Sequence, residues 1–493
     1  MSPTSPRPSI DEKIAGGDES YDLEAQTRSY EGLSSTSVID TSSRSFLDRL
    51  EESPVIQKFL GYPAPGSLEL KSTSWLDGVR GVAALGVYIF HAMGLWASLV
   101  PAWHADTHQN NIFQLPLIRT IFVSGGAAVA VFFAVSGYVL TYKSLKWMRT
   151  GKKDKIYPAV ASSMFRRGFR LYLPPVVLTF CEMIATRFGF TPPLNFSFVA
   201  EPTLSAQFVD WLKDMHGFIN PLYTFQKAMQ GIIVHPKYDA VLWTIPIEFW
   251  GSFVLYTLLL LLVRIPSNRL RMLSVAIYAI FSLQMGSWNI FCFSSGMLIA
   301  DFNLDQEESN TIPSLDRPSR FRLIWTTIFA VAFYAAGFPT LVYDEAKQNP
   351  MPGFEVLRAI IPMSLAMEDH SRFIWSLSGV ALLASISQLP IKGMFETNFC
   401  QYLGKISFSL YLVHEFCLIL FGLRFSELLM AVTGVVPKSG TLVYWIVCAV
   451  WFWAFTAIVW ALAAQVEKRV DAPSVRFARV LERRCLKVYK NLW

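Results

Sequence analysis

Residues 76–91 read LDGVRGVAALGVYIFH, an apolar stretch with an arginine near its start and a histidine at its end. The apolar run continues to residue 98 and has about the 20 residues that a helix needs to cross a bilayer. Arg80 and His91 are eleven residues apart, so on a helix they share one face and lie roughly 16 Å apart along its axis. Each ionisable group in such a helix costs on the order of 2.5–3.5 kcal/mol and normally faces a polar chamber or a partner. The stretch therefore predicts a membrane helix that borders a polar site.

The composition of the whole chain agrees with a membrane protein. It has 493 residues, of which 53% are hydrophobic and only 16% are charged, with a net charge of +6. A soluble chain of this length needs a charged surface over two or three cores, so a soluble globular enzyme is excluded. The net charge is too small for this length to indicate a nucleic-acid partner. Four of the six cysteines lie in apolar runs, and we expect all six to be reduced.

Further apolar segments predict an all-α, polytopic integral membrane protein with about ten transmembrane helices around a polar cavity. The fifth and sixth segments are short, so they form either a thin buried hairpin or one span counted twice. The predicted segments are 78–98, 120–142, 171–188, 242–263, 272–286, 288–302, 323–343, 372–390, 402–424 and 441–464.

The distribution of basic residues predicts the orientation. Residues 143–170 contain nine Lys or Arg, residues 264–271 contain three and the segment after Ala464 contains eight, whereas the longer loop 189–241 contains three. Basic loops are cytosolic in most membrane proteins. An even number of spans with both termini in the cytosol satisfies this rule. The glycosylation tripeptide that starts at Asn195 then lies on the opposite side, a weak signal because such tripeptides are common.

The chain divides into three parts by composition. Residues 1–73 form a Ser/Thr-rich cytosolic tail, predicted to be disordered, in which 45–60 is either an amphipathic surface helix or an ordinary linker. Residues 74–464 form the membrane domain. Residues 465–493 form a basic cytosolic C-terminal tail. No cleavable signal peptide is apparent, so the first span is expected to direct insertion, and which membrane holds the protein stays open.

Arg80 and His91 together indicate chemistry more strongly than either does alone. Arg80 by itself is as well explained as a positive-inside anchor, and His91 by itself could bond a backbone carbonyl in a helix contact. As a pair on one face, they suit an anionic group at the guanidinium and proton abstraction at the neutral imidazole. A coenzyme A thioester has this geometry. Asp77 fits a capping box with Ser74 and is expected to cap the helix.

Other polar residues in apolar segments are candidates for the same site. Glu248 is a second catalytic candidate that could polarise His91 or the acceptor, or could simply bond a neighbouring helix. Tyr411 and His414 continue a polar stripe from Ser407 and are expected to line the cavity. Ser136 is expected to line it too and not to act as a covalent nucleophile, since no base lies at a triad-like spacing. The next residue, Gly137, is expected to serve close helix packing.

Arg166, Arg167 and Arg170 open the third helix, either as positive-inside charges or as ligands of a polyphosphate. Together with Arg80 they are the candidate residues for binding the phosphates of a coenzyme A thioester. His104, Asp106 and His108 could bind zinc by residue type, but no third strong ligand is near them, so we predict no metal site. A phosphate-cradling glycine loop, a dinucleotide fingerprint and a zinc-ligand array are also missing from the sequence.

Five motifs in this order resemble the membrane acyltransferase 3 family of O-acyltransferases, in its fungal form, from Trp75 to about Ala464. They are LDGVRGVAAL at 76–85 followed by His91, VFFAVSGY at 131–138, Arg166-Arg167, LWT at 242–244 with Glu248, and SFSLYLVH at 407–414. One departure is Pro246 inside the fourth motif, where it is expected to free backbone groups of that helix and leaves the exact placement of Glu248 open. The resemblance implies an acyl-CoA donor, a hydroxyl acceptor and about ten helices. It also implies that His91 is the leading catalytic residue, with Arg80 and the paired arginines as essential partners.

The sequence thus predicts a membrane O-acyltransferase that moves an acyl group, most simply acetyl, from acyl-CoA to a small molecule, lipid or sugar. No permanently bound cofactor and no nucleic acid are expected, and the oligomeric state stays open. The alternative is a proton-coupled secondary transporter, because buried His and Glu also serve proton relays. That class predicts an internal repeat with matched broken helices, and none is clear in the sequence.

Overall fold

The structure is a computed structural model that describes residues 57, 59–63, 67–99, 101–103, 110–191, 198–309, 319–340, 351–362 and 370–492. Three sequence predictions fall outside these residues. They are the disordered tail with most of its amphipathic segment, the group His104, Asp106 and His108, and the tripeptide at Asn195.

The described chain is helical throughout and contains no strand, which confirms the all-α prediction. Each of the ten predicted apolar segments overlaps a helix. The helices are α1 (Ser74–Gly94), α2 (Ile118–Val123), α3 (Gly125–Arg149), α4 (Ile156–Thr186), α5 (Leu204–Ile219), α6 (Pro221–Met229), α7 (Thr244–Leu262), α8 (Asn268–Gln284), α9 (Trp288–Glu308), α10 (Ser319–Ala336), α11 (Phe354–Ala359), α12 (Ser371–Gln388), α13 (Lys392–Phe395), α14 (Asn398–Cys417), α15 (Leu423–Thr433), α16 (Leu442–Val466) and α17 (Ala472–Leu492). They belong to one compact unit made of Leu70–Trp493 and Phe59–Gly61.

Fewer helices than predicted meet a strict criterion for spanning a membrane. Within the described residues, five helical segments are long and apolar enough to do so. They are Gly125–Arg149, Lys153–Thr186, Ala240–Leu262, Asn398–Thr433 and Leu442–Val488. Helix α1 is not among them, and Asp77, Arg80 and His91 reduce its hydropathy. A membrane protein is therefore supported, while the number of spans stays a prediction.

The two short apolar segments at 272–286 and 288–302 are separate helices. Helix α8 ends at Gln284 and α9 begins at Trp288, and Gly286 between them has a φ of 79° that favours glycine. Residues along most of α9 are buried, so this helix is part of the core. The region therefore contains two helices, and how many membrane spans they form stays a prediction.

Helices α1 and α14 pack in close contact through two glycines. A Cβ atom on Gly81 would lie 2.3 Å from the backbone nitrogen of Gly404, and one on Gly404 would lie 2.4 Å from the carbonyl oxygen of Asp77. Only glycine permits such an approach, as at small-residue interfaces of membrane helices. Because these helices also carry His91 and His414, the glycine contact fixes the separation of the two histidines.

A second pair of glycines joins α3 to α9. A Cβ on Gly137 would lie 2.1 Å from the carbonyl oxygen of Phe293, and one on Gly296 would lie 2.0 Å from that of Ala134. The prediction that Gly137 serves close packing is confirmed. The neighbouring residue Ser136 is thereby held on a rigid surface.

Two of the basic residues that indicated orientation are buried structural groups. Arg149 and Arg271 both bind the carboxylate of Asp301, at 2.8 Å and 2.7 Å, and the side chains of the two arginines are 0% and 1% exposed. Burying charges is tolerated when they are paired and hydrogen-bonded in this way. This cluster joins α3, α8 and α9.

Three local predictions can be compared with the helix ends. Asp77 does not cap α1, because the N-cap is Thr73 without a side-chain bond, and Asp77 pairs with Arg80 instead. Pro246 lies in the first turn of α7, where the missing N–H is not needed, so it does not interrupt the helix. All six cysteines are free, as predicted.

Candidate active site

The centre of the site is a contact between His91 on α1 and Glu415 on α14. Nδ1 of His91 is hydrogen-bonded to Oε1 of Glu415. The imidazole is 20% exposed, whereas the carboxylate is 4% exposed and lies behind it. A buried carboxylate on one ring nitrogen fixes the tautomer and leaves Nε2 as the accessible base.

Glu415 was missed by the sequence analysis. It follows His414 directly, inside an apolar helix, and the criterion that selected His91 applies equally to it. The polar stripe was defined by helical spacing at residues 407, 411 and 414, and residue 415 does not fit that spacing. A π-helical turn, Leu418–Gly422, begins three residues later, and such turns are frequent at functional sites.

His414 is the second imidazole of the site. Its ring centroid is 5.1 Å from that of His91. Nδ1 faces the carbonyl oxygens of Leu410 and Tyr411 at 3.1 Å and 2.7 Å, so it is the protonated nitrogen and Nε2 carries a lone pair. Within the described residues, this buried Nε2 has no hydrogen-bond partner.

Arg80 faces the same helix as His91. Its guanidinium donates to Oγ of Ser407 at 3.0 Å and to the carbonyl oxygen of Gly404 at 2.8 Å, and it pairs with Asp77 at 3.2 Å. About a third of the Arg80 side chain remains exposed. The prediction that Arg80 and His91 share one face is therefore confirmed, with α14 as the helix that both contact.

Glu248 lies with Arg167 and Ser136, and its hydrogen bonds are made to these residues. Its Oε1 accepts from Nη2 of Arg167 and from Oγ of Ser136, both at 2.6 Å. The carboxylate that orients His91 is thus Glu415, in place of the predicted Glu248. Arg167 also donates to the hydroxyl of Ser252. Ser136 donates its proton to a carboxylate, which agrees with a structural role.

Tyr411 joins α14 to the start of α7. Its hydroxyl is 2.7 Å from Oγ1 of Thr244 and also bonds the carbonyl oxygen of Val241. Its ring centroid is 6.0 Å from that of His414. Tyr411 therefore supports the histidine pair from the side of α7.

The remaining two candidate arginines interact with carboxylates in or near the C-terminal helix, one by an ion pair and one at longer range. Arg166 pairs with Glu482 of α17 at 3.5 Å. Arg170 is within electrostatic reach of Asp471, which also interacts with Arg80. We call Arg80, Arg166, Arg167 and Arg170 the arginine rim.

A third carboxylate approaches the histidine pair from the loop before α7. Asp239 is 1% exposed, and its Oδ1 accepts from the backbone nitrogen of Val241 at 2.9 Å. Burial, together with the negative charge of Glu415, raises the pKa of Asp239 to about 7. Glu182 on α4 is buried within electrostatic reach of Asp239 and Glu415.

A cavity of about 100 Å³ lies at the start of α9. It is lined by Ile247, Trp288, Asn289 and Arg372 among others, and the predicted cavity residues Ser136, Tyr411 and His414 do not line it. The Arg372 guanidinium stacks on the ring of Trp288 at 4.9 Å.

Donor atoms of His91, His414 and Glu415 lie within 4.8 Å of one another, so these three could hold a metal ion by type and distance. The hydrogen bond between His91 and Glu415 occupies two of the three groups, and a metal would have to replace it.

Comparisons with known proteins show the family to which the chain belongs. A family model described as an acyltransferase domain, acyltransferase 3, matches residues 73–464. The chain is 31% identical to O-acetyltransferase PaAT-1 of Phomopsis amygdali over 442 residues, covering 85% of this chain and 86% of that protein. It is 26% identical to an acyltransferase of Phoma sp., covering 71% and 83% of the two chains.

A further relative is acyltransferase clz18 of Cochliobolus lunatus, which is 25% identical and covers 73% of this chain and 84% of its own. No solved structure matches the chain. The family model covers all the motifs that carry His91, Glu248 and His414. The chain belongs to the acyltransferase 3 family and is an acyltransferase.

Proposed function

We propose that this acyltransferase moves an acyl group from acyl-CoA to a hydroxyl group, with His91 as the general base. The observation that supports the proposal most is the pair of His91 and Glu415. An accessible imidazole backed by a buried carboxylate is the arrangement that proton abstraction requires. Glu248 acts through Arg167 and Ser136, as a positioning residue.

The reaction balances with one base. Nε2 of His91 takes the proton of the acceptor hydroxyl as its oxygen attacks the thioester carbonyl carbon. A C–O bond forms, the C–S bond breaks, and the imidazolium returns the proton to the departing CoA thiolate. In the alternative with an acyl-histidine intermediate, Nε2 attacks the thioester first and the acceptor then removes the acyl group.

The donor is held, in this proposal, by the arginine rim. Arg80 lies on the face of α1 that leads to His91, so the pantetheine arm extends along α1 from phosphates at the rim. The proposal includes an orientation in which this rim and both termini lie in the cytosol, with about ten spans, because basic segments favour the cytosolic side. His91 and Arg80 both contact α14, and this shared surface supports a continuous donor path.

The acyl group is proposed to be acetyl, since the relative from Phomopsis amygdali is named an O-acetyltransferase. The acceptor is a hydroxylated small molecule, lipid or sugar. Because His91 is partly exposed and its carboxylate partner is not, the acceptor approaches the free Nε2 edge of the ring.

The test uses purified protein in detergent micelles with acetyl-CoA and a panel of alcohols. Free CoA is measured with a thiol reagent, and the acylated product by mass spectrometry. CoA release that depends on an alcohol and matches its acylation one to one supports the proposal. Proton-coupled uptake into proteoliposomes without acyl transfer would instead identify a transporter, the class that buried His and Glu also allow.

A further inference from the structure

The C-terminal helix α17 lies beyond the segment that the acyltransferase family model covers. It continues from α16 through the π-helical turn Glu467–Asp471 and packs on α4. Ala478 is fully buried in this contact, and the rings of Phe169 and Phe477 lie 6.0 Å apart. Helix α4 carries three of the four rim arginines, so α17 borders the proposed donor site.

Each rim arginine has a carboxylate within electrostatic reach in this structure. Arg80 has Asp77 at 3.2 Å, Arg167 has Glu248 at 2.6 Å and Arg166 has Glu482 at 3.5 Å. Arg170 has Asp471 within electrostatic reach. A phosphate that binds the rim must therefore compete with carboxylates for guanidinium groups.

The three ion pairs with a measured distance differ in how readily a phosphate would replace the carboxylate. Arg167 and Glu248 share a short contact that further hydrogen bonds from Ser136 and to Ser252 support. Arg80 is also fixed by α14 through Gly404. The contact of Arg166 with Glu482 is the longest of the three measured, and both side chains are partly exposed, at 31% and 18%.

We propose that Glu482 of α17 competes with a phosphate of the acyl-CoA donor for Arg166, and thereby sets the affinity of the enzyme for its donor. The inference depends on the proposed acyl-CoA donor. In this structure a carboxylate oxygen of Glu482 lies 3.5 Å from Nε of Arg166. On donor binding the phosphate takes the place of this carboxylate, since arginine binds phosphate and carboxylate with the same planar group. Glu482 is the only acidic residue of α17, in a helix otherwise rich in arginine.

The experiment compares Glu482→Gln with wild type in micelles. The glutamine keeps the size of the side chain and removes its charge, so Arg166 becomes available to the phosphate. The KM for acetyl-CoA should fall about two- to fivefold, the range expected for an exposed ion pair. The KM for the acceptor and kcat should not change. Glu482→Ala should act in the same direction if the glutamine variant is poorly produced.

Two controls separate competition for phosphate from a general effect. Asp154→Asn removes an exposed carboxylate at the start of α4 and should leave the donor KM unchanged. S-acetylpantetheine has the thioester but no phosphate, so with this donor Glu482→Gln should equal wild type. An unchanged or raised KM for acetyl-CoA in Glu482→Gln, or an equal fall with S-acetylpantetheine, would overturn the inference. Wild-type protein that does not use acetyl-CoA at all would refute the proposed function instead.

Discussion

The imidazole of His91 on α1 is hydrogen-bonded through Nδ1 to the carboxylate of Glu415 on α14. The two residues are 324 positions apart in the chain, and the glycine contact between α1 and α14 brings them together. The base and the acid that orients it therefore lie in one site because these two helices are in contact.

Replacing Glu415 with Gln tests the orienting role of the carboxylate. Glutamine can still accept a hydrogen bond, but it does not stabilise the imidazolium that forms when His91 takes a proton. We expect kcat to fall by about 10²-fold or more, with little change in the KM for acetyl-CoA. Acceptor-dependent CoA release measures the effect. Glu427→Gln, an exposed site on α15, is the control, and a Glu415→Gln enzyme as active as this control would refute the role.

Alanine substitutions at two glycines of α1 distinguish the effect of close helix packing from that of helix propensity. Gly81→Ala puts a Cβ 2.3 Å from the backbone of Gly404, so the helices must move apart. Gly86→Ala, in the same helix, meets no atom within 4 Å. We expect Gly81→Ala to lower the melting temperature and the activity together, and Gly86→Ala to leave both near the wild-type values. Fluorescence-detected size exclusion after heating measures stability. Equal behaviour of the two variants would contradict the close contact.

Much of this architecture follows from local sequence. The ten apolar segments correspond to helices, and the periodicity of α1 alone placed Arg80 and His91 on one face. The role of Gly137 in close packing also follows from its apolar context. These features depend on the chain within a few turns, where helical geometry fixes directions.

The partners of the charged groups could not be predicted in this way. The pairing of His91 with Glu415 and of Arg167 with Glu248 depends on which helices are neighbours, and no local pattern contains that information. The sequence therefore left open whether Glu248 contacts His91, the acceptor or a neighbouring helix. Helix α17 was expected only as a basic tail, since its packing on α4 is a long-range contact.

A double-mutant cycle on Arg167 and Glu248 tests whether their ion pair contributes to stability. Removing one partner leaves the other charge unpaired among helices, whereas removing both leaves no charge. We expect Arg167→Ala and Glu248→Ala each to lower the melting temperature, and the double variant to lose less than the sum of the two. The coupling should correspond to about 0.5–3 kcal/mol. Additive losses would indicate that the 2.6 Å contact contributes nothing to stability.

Asp239 predicts a pH dependence of stability. Its pKa of about 7 in the folded protein lies above the ordinary value near 4, so the folded state binds a proton that the unfolded chain has released between these values. The contribution of Asp239 to stability therefore falls as the pH rises from about 4 to about 7, and then stays constant. Asp239→Asn should remove this loss, since an amide oxygen can still accept from Val241.

The measurement is the melting temperature of wild type and Asp239→Asn between pH 5 and pH 8. The difference between the variant and wild type should grow between pH 5 and about pH 7, by about 2 °C or more, and level off towards pH 8. Glu415, His91 and Glu182 lie around the same carboxylate and interact with it, so the difference reports the titration of Asp239 together with its effect on these neighbours. A difference that is constant with pH would show that Asp239 does not titrate in this range.

The most direct test of the account is the rate of acceptor-dependent CoA release by purified His91→Ala protein. Without the imidazole no base is left at the accessible edge of the site, so the rate should fall by at least about 10²-fold. Binding of CoA, measured by calorimetry on the same sample, should stay close to wild type, because the arginine rim is intact. A His91→Ala protein that transfers the acyl group at the wild-type rate would contradict the central role of His91.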